Sequence, residues 1–263
     1  MYYGYTGTIL RVNLTHGKIS RESLDLKMAE DFVGGRGLAS RLLCAEIDPE
    51  IEAMSPENPL IFGTGPLTGT GAPATARYVV VCKAPLTGTI ACSNSGGFFG
   101  PEIKFAGYDA LIIEGESPEP VYLWIQDDRV EIRSASLLWG KTPVETESTL
   151  QKLTHPASKI ACIGPGGEKL SLMAGIVNDN YRLAARSGVG ALMGKKKLKA
   201  IAIRGTGGVN LADPEQFWKA SMDMHSKITG DPVSFGSFRA YGTASLVNLI
   251  NEMGAYPTRN FQS

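Results

Sequence analysis

The chain has 263 residues, enough to bury a hydrophobic core in one or two domains. Its 26 acidic and 26 basic residues cancel, so no bulk field attracts nucleic acid or an anionic membrane surface. The N-terminus lacks a basic and apolar leader, and no run of about 18 apolar residues occurs, so we expect a cytoplasmic protein without a membrane span.

The first predicted elements are a β-hairpin and two helices. Residues 5–24 alternate between apolar and polar side chains, as a hairpin does. Residues 26–33 have helical spacing and stop at Gly34-Gly35, a pair that supplies the positive φ of a helix C-cap. We expect the second helix from about Leu38 to Glu46.

A β-rich segment follows. Residues 60–62 predict a buried strand that runs into a loop, residues 63–71, too rich in Gly and Pro for a helix or a ladder strand. Residues 77–82 and 89–92 predict the next two strands. Gly96-Gly97 then open a short helix, and a buried strand closed by Gly115 follows it.

The same order of elements returns in the second half. After a hairpin near residues 120–133 and a surface helix at 142–154, residues 159–163 repeat the buried strand, and Gly188 opens a second short helix before a strand closed by Gly205. We therefore predict an α+β fold: a duplicated β-rich domain of two mixed sheets with short helices, related by a pseudo-twofold axis. The repeats cover about residues 58–115 and 157–205. A binding site that is built once in each repeat suits a ligand that has two halves.

The character of the chain changes after Gly208. Asp213 and Pro214 form a helix start, and Thr243 is predicted to cap another helix over residues 244–253. We expect residues 1–208 to form one domain and residues 209–263 the helical start of a second, incomplete one. Its apolar side chains are expected to be exposed, among them Leu246, Val247, Leu249 and Ile250.

The four cysteines, Cys44, Cys82, Cys92 and Cys162, form no CxxC or CxxxC pair. Their spacing excludes a zinc knuckle and a four-cysteine cluster motif. Each lies in an apolar run, as a small buried hydrophobic residue does.

The candidate site consists of arginines beside turns that contain Gly or Asn: Arg77, residues 94–97 and residues 178–188. The glycines precede helices, where unpaired N–H groups and the helix dipole favour a phosphate, and guanidinium groups bind phosphate bidentately. Asn side chains and loop carbonyls can hold Mg²⁺. No P-loop, complete Rossmann fingerprint or Ser-His-Asp arrangement is present. Glu102 and Asp109 flank the first short helix; burial of Glu102 near a ligand is one alternative, and a solvated helix face is the favoured one.

Taken together, several motifs resemble the N-terminal domain of the tungsten aldehyde:ferredoxin oxidoreductases. They are residues 55–58, 65–70, 85–88, 94–97, 104–110 and 188–191, with further likeness at 242–244 and 260–262. The resemblance covers essentially the whole chain.

The resemblance implies a tungsten or molybdenum ion held by the dithiolenes of a pair of pterins (a tungstopterin cofactor), with Mg²⁺ bridging the pterin phosphates. The cofactor-binding positions it implies are Arg77, Asn94, Ser95, Gly96, Arg182, Leu183, Ala185 and Arg186. Backbone oxygens of Asn94 and Leu183 are the implied Mg²⁺ ligands. Ala185 stands where the family often has Gly, which makes the contacts of that loop less certain because alanine adopts positive φ less readily.

The implied reaction oxidises an aldehyde and water to a carboxylic acid, passing two electrons through a 4Fe–4S cluster to ferredoxin. The family's cluster cysteines and proton-transfer residues have no counterpart here, so the isolated chain is expected to be inactive. Further C-terminal domains or a partner subunit would complete the site, and homo-oligomerisation is left open. The alternatives are a split subunit that docks the cofactor or a partner chain without turnover, and an unrelated phosphate- or nucleotide-binding α/β protein, which the joint motif match disfavours.

Overall fold

The computed structural model describes residues 3–262, which form two compact units. The larger unit contains residues 3–70 and 74–212. The smaller unit contains residues 71–73 and 213–262.

Runs of apolar and β-branched residues form the strands of the larger unit. Those of its first half are β1 Thr8–Asn13, β2 Lys18–Ser23, β3 Leu60–Thr64, β4 Tyr78–Lys83, β5 Ile90–Ser95 and β6 Ala110–Glu114. Those of its second half are β7 Val121–Gln126, β8 Arg129–Ser134, β9 Lys159–Cys162, β10 Ile176–Asn178, β11 Arg182–Ala184 and β12 Leu198–Arg204. The helices are α1 Leu26–Phe32, α2 Gly35–Glu46, α3 Phe99–Phe105, α4 Pro143–Leu153, α5 Pro165–Glu168 and α6 Val189–Lys195.

The two halves build sheets of identical topology. The first sheet has the order β2-β1-β6-β3-β4-β5, and the second has the order β8-β7-β12-β9-β10-β11. Each sheet contains one parallel pair of neighbouring strands: β1 with β6 in the first sheet and β7 with β12 in the second. Every other neighbouring pair is antiparallel. The predicted fold of two mixed sheets in a duplicated β-rich domain is therefore confirmed.

The sheets share one hydrophobic core. It combines side chains from both sheets with side chains of α3 and α6, for example Phe62, Ile103, Val189 and Ile201. Helices α1 and α2 cover the outer face of the first sheet, where Leu38 and Leu42 pack, and Leu150 of α4 packs on the outer face of the second. The continuous apolar character of β3, β6 and β12 follows from burial on both faces.

The repetition extends to individual glycines. A Cβ at Gly100 of α3 would lie 2.8 Å from the Ala76 carbonyl oxygen, and one at Gly190 of α6 would lie 2.7 Å from the Ala174 carbonyl oxygen. Ala76 and Ala174 each stand two residues before their strand, β4 or β10. Each helix thus lies directly against the same part of its own half, which leaves room only for glycine.

The prediction for this segment is partly right: α1 ends just before Gly34 and Gly35 has a positive φ of 49°, but α2 begins about one turn earlier than the predicted Leu38. Helix α2 begins at Gly35, and Val33 is the residue that ends α1 with a positive φ of 62°. A Cβ at Gly37 would lie 2.3 Å from the Phe32 carbonyl oxygen, so the close approach of α1 to α2 requires glycine there. The glycines of this segment serve tight packing, which a reading of them as helix breakers misses.

Glu102 and Asp109 are buried, which contradicts the prediction of a solvated helix face. Asp109 accepts hydrogen bonds from the Gly7 amide at 2.7 Å and from Lys104 Nζ. Glu102 forms an ion pair with Arg204. These charges are buried because each has a partner of opposite sign inside the larger unit.

The cysteines are only partly as predicted. Cys82 and Cys162 are buried, whereas Cys92 is half-buried and Cys44 is exposed on α2. All four are free thiols. Burial raises the pKa of the Cys82 and Cys162 thiols to about 12, so both are inert packing residues.

The smaller unit is helical. Its helices are α7 Pro214–Gly230, a π-helical turn Pro232–Phe238, α8 Arg239–Tyr241, a 3₁₀ turn Gly242–Leu246 and α9 Val247–Glu252. Asp213 caps α7 as predicted, accepting from the Gln216 amide at 2.9 Å. Thr243 caps no α-helix, because it lies inside the 3₁₀ turn.

Apolar side chains of the smaller unit are exposed. Val247 and Leu249 are exposed as predicted, whereas Leu246 and Ile250 are half-buried. Within residues 213–262 only Ser221 is buried, so this unit has no core of its own. No helix in the described part of the chain is both long and apolar enough to cross a membrane.

Candidate functional site

The two sheets meet at their open edges. Strands β5 and β11 are the last strands of their sheets. The Arg186 amide donates to Ser93 Oγ at 3.0 Å, and the Leu86 amide donates to the Ser187 carbonyl at 3.3 Å. The segments around β5 and β11 are therefore adjacent, and we call their junction the seam.

Asn94 and Leu183 hold equivalent positions on the two sides of the seam. Asn94 lies opposite Val79 of β4, and Leu183 lies opposite Val177 of β10. The two valines in turn lie opposite Gly63 of β3 and Cys162 of β9, which occupy the same register in their sheets. The duplication thus places the two predicted Mg²⁺ ligands at one position of the repeat.

Arg77 lines two cavities, one of about 380 Å³ and one of about 590 Å³. The seam cavity, of about 590 Å³, is lined by Arg77, Ser93, Asn94, Leu183, Ala185 and Arg186. The structure therefore brings together five of the predicted site residues, from both halves. No carboxylate is among the lining residues.

The second cavity, which we call the α2 cavity, has a volume of about 380 Å³. It shares Arg77 and Asn94 with the seam cavity and adds Gly34, Gly35 and Arg36 from the start of α2. The amides of Gly35 and Arg36 donate to no group among residues 3–262. Two free N–H groups at the N-terminus of a 12-residue helix favour a negatively charged group in this cavity.

The guanidinium groups near the seam are unpaired. Elsewhere in the larger unit, arginines such as Arg11 and Arg204 form ion pairs with glutamates. In contrast, the following four make no side-chain hydrogen bond, ion pair or ring contact within the described residues: Arg36, Arg77, Arg182 and Arg186. Free guanidinium groups around carboxylate-free cavities are the donor set that phosphate oxygens require.

The remaining predicted residues lie beside the cavities without lining them. Ser95 is buried, and its Oγ donates to Asn178 Oδ1 at 2.7 Å. The Gly96 carbonyl accepts from Asn178 Nδ2 at 2.8 Å. Arg182 is exposed on β11 next to Leu183 but is not among the lining residues of either cavity.

Ala185 does not need the glycine-like conformation that the resemblance suggested. The residues of its loop that have positive φ are Ser187, at 65°, and Gly188, at 79°. Ala185 therefore fits this loop without backbone strain, and the expected conflict with the family pattern does not arise.

The predicted phosphate contacts at the starts of α3 and α6 stay predictions, and the structure shows which protein groups lie there. The Phe98 amide before α3 already donates to Asp179 Oδ2 at 2.7 Å. Gly188 before α6 is buried, and a Cβ there would lie 3.1 Å from Pro85 Cβ. A carboxylate of the second half thus takes one amide at the start of α3, and Pro85 lies close to the start of α6.

Arg36, which lines the α2 cavity, is absent from the site residues predicted from the sequence. It lies in Gly34-Gly35-Arg36-Gly37, which meets the criterion used for the other candidates, an arginine beside a glycine-rich turn. The two glycines were assigned to a helix C-cap, and that assignment hid the arginine. In the structure Arg36 also lies close enough to Cys92 to offset part of the rise that burial causes in the pKa of that thiol.

Comparison with known proteins gives a consistent result. The family model described as "Aldehyde ferredoxin oxidoreductase, N-terminal domain" matches residues 9–205. The chain is 51% identical to the tungsten-containing aldehyde ferredoxin oxidoreductase of Pyrococcus furiosus and 52% identical to that of Thermococcus kodakarensis, each over 99% of this chain and 43% of the relative. It is 34% identical to the aliphatic sulfonate oxidoreductase, WOR-like subunit, of Pyrococcus furiosus, over 99% of this chain and 44% of the relative.

A solved structure matches as well. The active site complex BamBC of benzoyl coenzyme A reductase, in complex with 1,5-dienoyl-CoA, gives a TM-score of 0.85 at 42% identity, over 87% of this chain and 35% of that chain. The chain spans less than half the length of the curated relatives described above.

Proposed function

This chain belongs to the aldehyde ferredoxin oxidoreductase family, and from that premise we propose that its larger unit is the base on which a tungsten–pterin cofactor binds. The observation that carries the proposal is the seam cavity, where unpaired Arg77 and Arg186 come from different halves of the duplication. A cofactor built from a pair of pterins has a phosphate on each half, and the seam offers a cation on each side.

The residues present fit such a group. Pterin phosphates need bidentate cations, free amides and an absence of competing carboxylates, and the two cavities supply all three. Arg77 lines both cavities, so we assign it the central phosphate contact. Arg186 binds from the second half, and Arg36 extends the positive region along α2.

We propose that Mg²⁺ lies between the phosphates and takes oxygen ligands from Asn94 and Leu183. Their equivalent positions suit an ion on the axis that relates the halves. Within residues 3–262 no three His, Cys, Asp or Glu side chains are grouped as a metal site. Charge balance for the ion therefore falls to the phosphates, and the protein contributes neutral oxygens.

We propose an aldehyde as substrate and ferredoxin as electron acceptor. The relatives named for that activity are 51–52% identical to this chain, whereas the sulfonate oxidoreductase is 34% identical. When bound, the tungsten centre supplies two-electron redox chemistry, and this chain's residues hold and orient the cofactor. The ligands of a 4Fe–4S cluster are assigned to polypeptide outside this chain, because its four cysteines are dispersed.

A second candidate function is a subunit that docks the cofactor or a partner chain without turnover. The exposed apolar side chains of the smaller unit favour a covering polypeptide, since within residues 213–262 only Ser221 is buried. Light scattering and limited proteolysis test this surface. A strictly monomeric chain whose residues 213–262 resist protease would contradict the proposed cover.

The test of cofactor binding is Arg77→Ala in the protein isolated with its cofactor. We expect tungsten and pterin content per chain to fall by about tenfold, because the shared phosphate contact is lost. Arg129→Ala is the matched control, since Arg129 is exposed and neither it nor its ion-pair partner Glu131 lines either cavity. Unchanged content in Arg77→Ala would refute the assigned site.

Aldehyde-dependent dye reduction separates the two candidate functions. Turnover by cofactor-loaded protein supports the oxidoreductase. Full loading without turnover in the presence of every partner chain supports the docking subunit.

A further inference from the structure

Asn178 is a buried polar residue at a position where the first half has a valine. Asn178 lies opposite Ala161 of β9, and Val80 lies opposite Phe62 of β3, in matching registers. Both residues are 0% exposed. Because burying an amide is unfavourable unless its groups are hydrogen-bonded, the partners of Asn178 define its role.

The partners of Asn178 lie mostly in the other half. Its Oδ1 accepts from Ser95 Oγ at 2.7 Å and from the Tyr78 hydroxyl at 3.0 Å. Its Nδ2 donates to the Gly96 carbonyl and to Asp179 Oδ2, each at 2.8 Å. The end of β5 and the turn after it are therefore fixed by a side chain of the second half.

Asp179 continues the contact along the same turn. Its Oδ2 accepts from the Phe98 amide at 2.7 Å, and a Cβ at Gly97 would lie 2.2 Å from that oxygen. Asp179 and Asn180 have φ values of 46° and 60°, and Glu147 Oε2 accepts from the Asn180 amide at 2.9 Å. Glu147 thus holds the turn that presents Asp179 to the first half.

We propose that Asn178 and Asp179 are positioning residues: they hold residues 94–98 in the conformation that faces the cofactor, although neither side chain lines the seam cavity or the α2 cavity. The inference rests on the cofactor-binding function proposed above. The contact is reciprocal, because Ser93 Oγ of the first half accepts from the Arg186 amide of the second. Each half therefore sets the geometry of the other half's cofactor loop.

The test compares Asp179→Ala with Asp127→Ala in the protein isolated with its cofactor. Asp127 is a matched control: its φ is 50°, its Oδ1 accepts from the Thr206 amide at 2.7 Å, and it lines neither cavity. In Asp179→Ala we expect the Phe98 amide to exchange hydrogen about tenfold faster or more, because a charge-assisted hydrogen bond is lost. Tungsten and pterin content should fall by about tenfold. Asp127→Ala should leave both measurements unchanged.

Asp179→Asn keeps an acceptor oxygen but removes its charge. We expect cofactor content to follow the protection of the Phe98 amide, in the order wild type, Asp179→Asn, Asp179→Ala. If Asp179→Ala does not fold, the comparison of wild type with Asp179→Asn still tests this relation. Full cofactor content despite fast Phe98 exchange, or lost cofactor despite a protected Phe98 amide, would overturn the positioning role.

The outcome is separable from that of the proposed function. If Arg77→Ala loses cofactor and Asp179→Ala does not, the positioning role fails alone. If Arg77→Ala keeps its cofactor, the proposed site itself fails, whatever the Asp179 variants do.

Discussion

Arg36 and Val144 occupy the same position in the two halves. Each is the second residue of the helix that packs on the outer face of its sheet, after Gly35 in α2 and after Pro143 in α4. A Cβ at Gly63 would lie 3.1 Å from the Gly35 carbonyl oxygen, and at the equivalent register Cys162 Sγ lies 3.8 Å from the Pro143 carbonyl oxygen. The backbone is thus repeated, while the charge at the start of the helix is not.

The two helix starts differ in every group that could meet an anion. Helix α4 has a capping box, in which Thr142 and Glu145 satisfy each other's backbone amides. Helix α2 has a glycine N-cap without a side-chain hydrogen bond. Of these two equivalent helices, only α2 therefore begins without a side-chain cap.

This asymmetry predicts the effect of Arg36→Val, which copies the residue of the second half. We expect tungsten and pterin content to fall by about tenfold or more, because a guanidinium contact of about 1.5–3 kcal/mol is removed. Val144→Ala, at the equivalent exposed position, should leave the content unchanged. Equal content in both variants would show that the α2 cavity takes no part in binding the cofactor.

The equivalence of Asn94 and Leu183 predicts that both offer Mg²⁺ the same kind of ligand, a backbone oxygen. Asn94→Ala and Leu183→Ala should therefore both keep their magnesium, within about twofold of wild type, since neither change removes a backbone oxygen. Elemental analysis of the Mg-to-W ratio measures this. Loss of magnesium in Asn94→Ala alone would identify the side-chain amide as the ligand and break the equivalence.

The close helix–strand contact predicts that Gly100→Ala and Gly190→Ala destabilise the larger unit by similar amounts. We expect about 1–3 kcal/mol for each, because the added methyl group meets backbone atoms at 2.7–2.8 Å. Urea unfolding gives the free energies. The control is Gly166→Ala in α5, where a Cβ would meet nothing within 4 Å and the change should stay within about 1 kcal/mol. A near-zero effect at Gly100 or Gly190 would contradict the contact.

Lys196 predicts a specific dependence of stability on pH. Burial lowers the pKa of Lys196 to about 8, although its Nζ donates to the Pro56 and Gly115 carbonyls at 3.0 Å each. Between pH 8 and the ordinary lysine pKa of 10.5, the unfolded chain binds a proton that the folded chain has released. The free energy of unfolding should therefore rise with pH in this window and lose that contribution as pH falls through about 8.

The test compares wild type with Lys196→Met, which removes this titration. From pH 8 to pH 9.5 the difference in free energy of unfolding between the two proteins should move by about 2 kcal/mol in favour of wild type. Lys104, whose pKa burial also lowers, is present in both proteins and cancels. Identical pH profiles would show that Lys196 keeps an ordinary pKa.

The sequence predicted the parts of the fold that leave a periodic or repeated pattern. The buried strands, the two short helices and the duplication are visible because apolar runs and Gly-Pro turns recur in the same order. The equivalent register of Asn94 and Leu183 is invisible in the sequence, because Leu183 looks like any apolar strand residue. It became a candidate through family resemblance, and strand pairing then gave it a structural reason.

The burial of Glu102 and Asp109 was missed because it depends on distant partners. Glu102 accepts from the Gly205 amide and Asp109 from the Gly7 amide, each about 100 residues away in the sequence. Local sequence carries no sign of such partners. Arg36 was missed for a different reason, since one glycine pair can end a helix or start one, and only the packing of α1 against α2 decides.

The seam has a consequence for the cofactor-free protein. Strands β5 and β11 are unpaired sheet edges, and such edges recruit strands from other molecules when nothing covers them. Here the segments that carry the two edges contact each other, and the seam cavity lies between residues of both. A cofactor bound at the seam would therefore protect the chain from self-association in addition to its role in the reaction. The cofactor-free protein is the form that should be kept dilute and cold.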